Sequence, residues 1–163
     1  MPALQIIVAL AVALASATNA FAACPIERAI YADRDKVAEL IFAPTSGAAT
    51  VTNSFRMALG DNVVLDGVVM WTEGVARPNG VLMRECPEGD VTGAELDACT
   101  FWQGVIYTSD SAGRIGLLPA EGAMAPPTLI LPDLGYSLNL SAREGEEPAS
   151  LPWDVFALEG CRE

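Results

Sequence analysis

The chain predicts a mainly-β fold: a small, disulfide-stapled antiparallel sandwich or barrel with one or two short helices. Runs rich in Val, Thr and aromatic residues alternate with turn signals at close spacing, and little 3.6-residue periodicity is present. The four cysteines form an even set, which in an oxidising compartment reads as two staples. The strand topology is not readable from these observations. An open sheet packed on a helix from Asp133 to Leu140 is the alternative arrangement.

A targeting segment precedes that domain. Ile6 to Ala15 is an apolar h-region, followed by small and polar residues and an Ala-x-Ala cleavage signature at Ala20-Phe21-Ala22. This predicts a signal peptide over 1–22, cleaved after Ala22, and a single mainly-β domain over 23–163. The apolar run is too short for a membrane span, so the expected location is periplasmic or extracellular. A second reading makes Phe21-Ala22-Ala23-Cys24 a lipoprotein box with Cys24 lipidated; Cys161 would then lack a partner.

Roughly 140 residues remain after cleavage, a length that suits one core and buries about two-thirds of the unfolded surface. All 9 Lys and Arg and all 21 Asp and Glu lie beyond residue 22, so the net charge of −12 stays with the mature chain. Nucleic acid and anionic lipid would be repelled; the acidity either steers a cationic partner or, as the plainer reading, is the solvated surface of an exported protein. Of the three possible cysteine pairings, Cys86–Cys99 closes one acidic loop and Cys24–Cys161 ties the extremes of the mature chain. Those two are the expected disulfides, worth about 3 and about 5 kcal/mol respectively in the chain-entropy model.

Taken in order, Pro25 to Tyr31 and Glu39 to Phe42 flank the charged run Asp33-Arg34-Asp35-Lys36 and predict a first hairpin. Ala48 to Leu59 alternates Thr50, Thr52, Ser54 and Arg56 on one face with Val51, Asn53, Phe55 and Met57 on the other, as a half-buried strand does. After a turn at Gly60-Asp61-Asn62, Val63 to Trp71 is apolar on both faces and suits an interior strand. Its Asp66-Gly67 is either a hairpin turn or, as preferred here, a bulge or sharp twist in one long strand. Pro78-Asn79-Gly80 predicts a turn pairing Val68–Glu73 with Val81–Glu85.

The loop between Cys86 and Cys99 holds four carboxylates but lacks the order of an EF-hand. Thr92-x-x-Glu95 instead matches a capping box for a helix Gly93–Cys99. Phe101 to Thr108 and Arg114 to Leu118 predict a hairpin across Ser109 to Gly113. The stretch to Pro127 is an irregular connector, Leu129 to Leu131 a short strand, and Asp133 to Leu140 a short helix or turn. Arg143 to Ser150 reads as a solvated loop, and Trp153 to Leu158 as a last strand delivering Cys161 to Cys24.

Histidine is absent, which removes Ser-His-Asp and Cys-His catalysis, His-ligated metals and a histidine pH switch. Paired cysteines would remove thiol chemistry and Cys-ligated clusters. The single lysine, Lys36, sits in an expected surface turn, and no glycine pattern for nucleotide phosphates follows a strand. No cofactor is expected. Carboxylate pairs could still hydrolyse glycosides, with Asp66, Glu73, Glu85 and Asp90 as candidates. Trp71 and Trp102, with Glu73 and Arg84 beside them, could line a sugar or peptide groove, or the two rings could belong to the core.

In size, acidity and disulfide-closed β character the chain resembles the periplasmic lysozyme-inhibitor families, which implies docking of an acidic surface on a basic enzyme. The resemblance covers no alignable motif. The families' Ser-Gly-x-x-Tyr signature is missing, and Ser111-Ala112-Gly113-Arg114-Ile115 does not replace it. The expected function is an exported, non-catalytic binding or structural module; an inhibitor-like protein and a carboxylate-based hydrolase are the alternatives.

Overall fold

The computed structural model describes residues 23–60, 63–71, 73–141 and 150–163. The expected signal peptide, and most of the loop expected from Arg143 to Ser150, lie outside them. Ten strands form one antiparallel sheet: β1 (Ala29–Asp33), β2 (Ala38–Ala43), β3 (Val51–Leu59), β4 (Val63–Met70), β5 (Asn79–Met83), β6 (Thr100–Gly104), β7 (Tyr107–Ser109), β8 (Ile115–Leu117), β9 (Thr128–Ile130) and β10 (Val155–Cys161). Two helices, α1 (Gly93–Cys99) and α2 (Leu134–Ser141), complete the fold. The strand order is β6-β5-β4-β3-β2-β1-β10-β9-β7-β8.

That order forces curvature. β6 ends the sheet on one side and β7 lies one strand from the other end, yet only Val105 and Ile106 separate them in sequence. Two linking residues reach about 10 Å at most, so the sheet must curl until its ends nearly meet. The result is a half-barrel, the barrel branch of the expectation. Its concave side is packed with Tyr31, Phe42, Phe55, Met57, Leu65 and Phe156, each 2% exposed or less. Large side chains of this kind contribute about 1.5–3 kcal/mol each on burial. Leu134 and Leu138 of α2 join the same cluster.

The first hairpin forms where the charged run suggested, because Asp33 organises it. Its buried carboxylate accepts the Ala38 N–H at 2.8 Å and the Asp35 N–H at 3.4 Å, while Lys36 takes a positive φ of 53°. Outside the turn, Trp153 closes over it: the indole N–H reaches Asp35 at 2.5 Å and the Arg34 guanidinium lies 3.6 Å from the ring centre. β10 then pairs with β1, and Cys161 meets Cys24 in a disulfide. That bond uses the sulfur that lipidation of Cys24 would require.

Several sequence expectations are corrected by long-range packing. β3 and β4 pair without a register shift at Gly67, so Asp66-Gly67 is neither a turn nor a bulge. A Cβ at Gly67 would stand 2.5 Å from the Phe55 ring; the glycine makes room for an aromatic lying across its strand. β4 is interior in the sheet, yet only one of its faces is buried, leaving Val64 and Met70 exposed. Asn79 and Gly80 belong to β5 and not to a Pro78-Asn79-Gly80 turn. Gly80 faces inwards, where a Cβ would meet Ile106 and Trp102 at 3.1 Å. The run Phe101 to Thr108 also splits, since Ile106 is drawn into the core and the chain crosses there from β6 to β7.

Helix α1 begins on the expected capping box. Thr92 Oγ1 accepts the Glu95 N–H at 3.3 Å, and the Glu95 carboxylate accepts the Thr92 N–H at 2.8 Å. A disulfide joins the helix end, Cys99, to Cys86. α2 is held from a distance: the Asp154 carboxylate accepts the N–H groups of Asp133 and Leu134 at 2.9 and 3.0 Å, supplying acceptors to donors that a helix start leaves unpaired.

Candidate functional site

The residues singled out for a groove differ sharply in exposure. Trp102 on β6 is 3% exposed and donates its indole N–H to the Pro132 carbonyl at 2.9 Å. It is a core residue. Trp71, just past β4, is 52% exposed, and its indole N–H bonds the Val75 carbonyl at 2.9 Å, closing its own loop. Glu73 lies exposed in that loop. Arg84 follows β5, with Nε 3.8 Å from the Glu85 carboxylate.

The four candidate acids are solvated. Asp66 is 3.3 Å from Arg56 on the convex face, with both side chains 72% exposed. Glu85 is engaged by Arg84, and Glu73 and Asp90 are exposed. Among the described residues no group of three or more His, Cys, Asp or Glu is placed to hold a metal ion.

Shifted ionisation marks turns and caps. The Glu95 carboxyl is held below its usual range by the Thr92 N–H and then by the Thr92 hydroxyl. Asp110 is lowered first by the Arg114 backbone N–H and then by its guanidinium. Glu121 is lowered by the hydroxyl and then the N–H of Thr45. Burial pushes the Tyr31 phenol up, and its O–H donates to the Pro126 carbonyl at 2.8 Å. The three lowered carboxyls are accounted for by the cap and turn partners that hold them, and the raised phenol by its place in the core.

Two surface features stand out among the described residues. A hollow of about 290 Å³ at the β1–β2 turn is lined by the small residues Ala32, Ala38, Ala58 and Gly60 and by the charged Lys36, Glu39 and Glu159. Lys36 Nζ lies 3.4 Å from Glu159. None of the candidate acids lines it.

The other feature is the sheet edge at β8. Ile115, Gly116 and Leu117 are all exposed, Ile115 by 61%. On the convex face the pairings align Val155, Ile130, Tyr107 and Leu117 in one cross-strand row, and Ala157, Thr128, Ser109 and Ile115 in the next. The sequence offered no signal for this surface, because Ile-Gly-Leu in a hairpin arm does not reveal that the arm ends the sheet. No protein-family model matches the chain, and no curated protein or solved structure matches it.

Proposed function

We propose that the chain is an exported, non-catalytic binding or structural module of the cell envelope whose acidic exterior engages a cationic protein. The observation that carries this reading is the filled concave side of the half-barrel. Small β-barrels that carry a ligand hold it in the interior, and here Tyr31, Phe42, Phe55 and Phe156 occupy that space. Recognition is then left to the outer surface of a chain with net charge −12. Electrostatic complementarity of this kind raises association rates and falls with ionic strength.

Export is favoured by the two disulfides and the N-terminal h-region, and no helix among the described residues is long and apolar enough to cross a membrane. The test is a pull-down from the envelope or secreted fraction with oxidised protein, eluted by a salt gradient. One partner released between low and moderate salt is the expected result. Retention of nothing at any salt would remove the reading. The narrower inhibitor-like version is checked by titrating lysozyme with excess protein, and unchanged lysozyme activity disposes of it.

A further inference from the structure

We propose that the β8 edge joins a second copy of this chain, edge to edge, about a two-fold axis at Gly116. The β7–β8 ladder sets the direction of every backbone group. Asp110 N–H bonds the Arg114 carbonyl at 3.1 Å and Leu118 N–H bonds the Ile106 carbonyl at 3.3 Å. With Tyr107 opposite Leu117 and Thr108 opposite Gly116, antiparallel alternation makes Thr108–Gly116 the bonded pair. The N–H and C=O of Ile115 and Leu117 therefore point away from β7. No partner meets them among the described residues, since β8 ends the sheet.

That edge is complementary to itself. With Gly116 opposite Gly116 of the other chain, Ile115 stands opposite Leu117 and exchanges both backbone bonds with it, and the reverse pair does the same. Glycine at the axis presents no side chain where unbonded antiparallel pairs come closest. The exposed Ile115 and Leu117 side chains then cover one another beside Tyr107 of each copy.

Charge favours a second copy at this place. The row Val155, Ile130, Tyr107, Leu117 and the row Ala157, Thr128, Ser109, Ile115 contain no carboxylate. Asp110, at the hairpin end, is neutralised by Arg114 Nε at 2.6 Å. Arg77 donates to the Tyr107 hydroxyl at 2.7 Å beside these rows. Among the described residues the seam thus carries no uncompensated carboxylate, and in a chain of net charge −12 two copies meet less repulsion there than carboxylate facing carboxylate would give. Three residues make a short ladder, so the interface falls in the weak class below about 1,200 Å² and dissociates on the order of 0.1 mM.

The test is sedimentation equilibrium of the exported, oxidised chain from about 10 µM to 1 mM, in salt that shortens the screening length from over ~10 Å to ~3 Å. A dimer is expected, and added salt strengthens it, the opposite of docking on a cationic partner. Leu117→Lys and Ile115→Lys each weaken it about tenfold or more, although each lowers the net negative charge. Tyr136→Lys, at an exposed site on α2, leaves it unchanged. Amide exchange at Ile115 and Leu117 slows with concentration. A monomer at the highest concentration and salt overturns the proposal, as does a dimer that both β8 variants leave intact. An extended segment of another protein pairing here would leave the isolated chain monomeric, which is the first of those outcomes.

Discussion

The two ends of the sheet are finished in different ways. β6 is led into by α1, whose last turn is tied down by Cys86–Cys99 and by the Thr100 hydroxyl on the Leu96 carbonyl at 2.8 Å. α2 packs against it, and the Trp102 indole is anchored on Pro132 immediately before that helix. β8 has none of these devices. It carries no Pro, no Lys and no bulge, and its three residues are all exposed among the described residues, so its shortness is the one restraint visible there. Natural sheets guard edges because unpaired backbone groups recruit other strands. One edge of this protein is thus built as part of the core and the other as part of the surface.

That contrast can be broken at β6. Trp102→Ala removes the ring that fills the end of the half-barrel and leaves the Pro132 carbonyl without its donor. A loss of roughly 3–5 kcal/mol is expected, read as a lower denaturant midpoint. Opening the staple beside it with Cys86→Ser and Cys99→Ser is expected to cost about 3 kcal/mol by releasing the short loop in the unfolded chain. A midpoint unchanged by both would mean that the β6 edge is no more structural than β8.

The middle of the sheet provides a pH-dependent reference. The Tyr31 phenol is raised above its ordinary value of 10.0 by burial. The folded chain therefore keeps a proton that the unfolded chain releases above about pH 10. Stability is full below that pH and declines above it, by about 1.4 kcal/mol per pH unit until the folded group also ionises. Tyr31→Phe is expected to flatten this alkaline decline, at a cost of about 1 kcal/mol at neutral pH for the lost bond to Pro126. Denaturant midpoints measured from pH 8 to pH 11 check both statements.

Local chemistry was legible in the sequence and long-range contact was not. The Thr92–Glu95 capping box, the Asp33 hairpin and the two cysteine pairings follow from residues whose partners are close in sequence or set by elimination. Gly67 and Gly80 read in the sequence as turn or bulge positions, a property of the local chain, whereas their reason is an aromatic or aliphatic side chain laid where a Cβ would be. The tryptophans show the same limit. Trp71 and Trp102 look alike in the chain, and the end of β4 and the inward face of β6 decide that one is wet and one is buried. The site at β8 was illegible for a related reason, since strand order is a property of the whole sheet.

The smallest expected effect separates the two edges most sharply. Leu117 is 39% exposed on a strand with no neighbour beyond it among the described residues, so Leu117→Lys removes little packing and adds a charge that water can solvate. Exposed substitutions away from caps, cavities and networks change stability by no more than about 0.5 kcal/mol. Measured on dilute monomer, the denaturant midpoint of Leu117→Lys is therefore expected to match the parent, while Trp102→Ala at the opposite edge lowers it by several-fold more than that bound. A Leu117→Lys variant as unstable as Trp102→Ala would show that β8 is locked into the core through the Tyr107–Ile130 row and has no spare surface to offer a partner. An unchanged midpoint leaves an edge whose apolar side chains contribute nothing to folding, and their use then has to be sought in association.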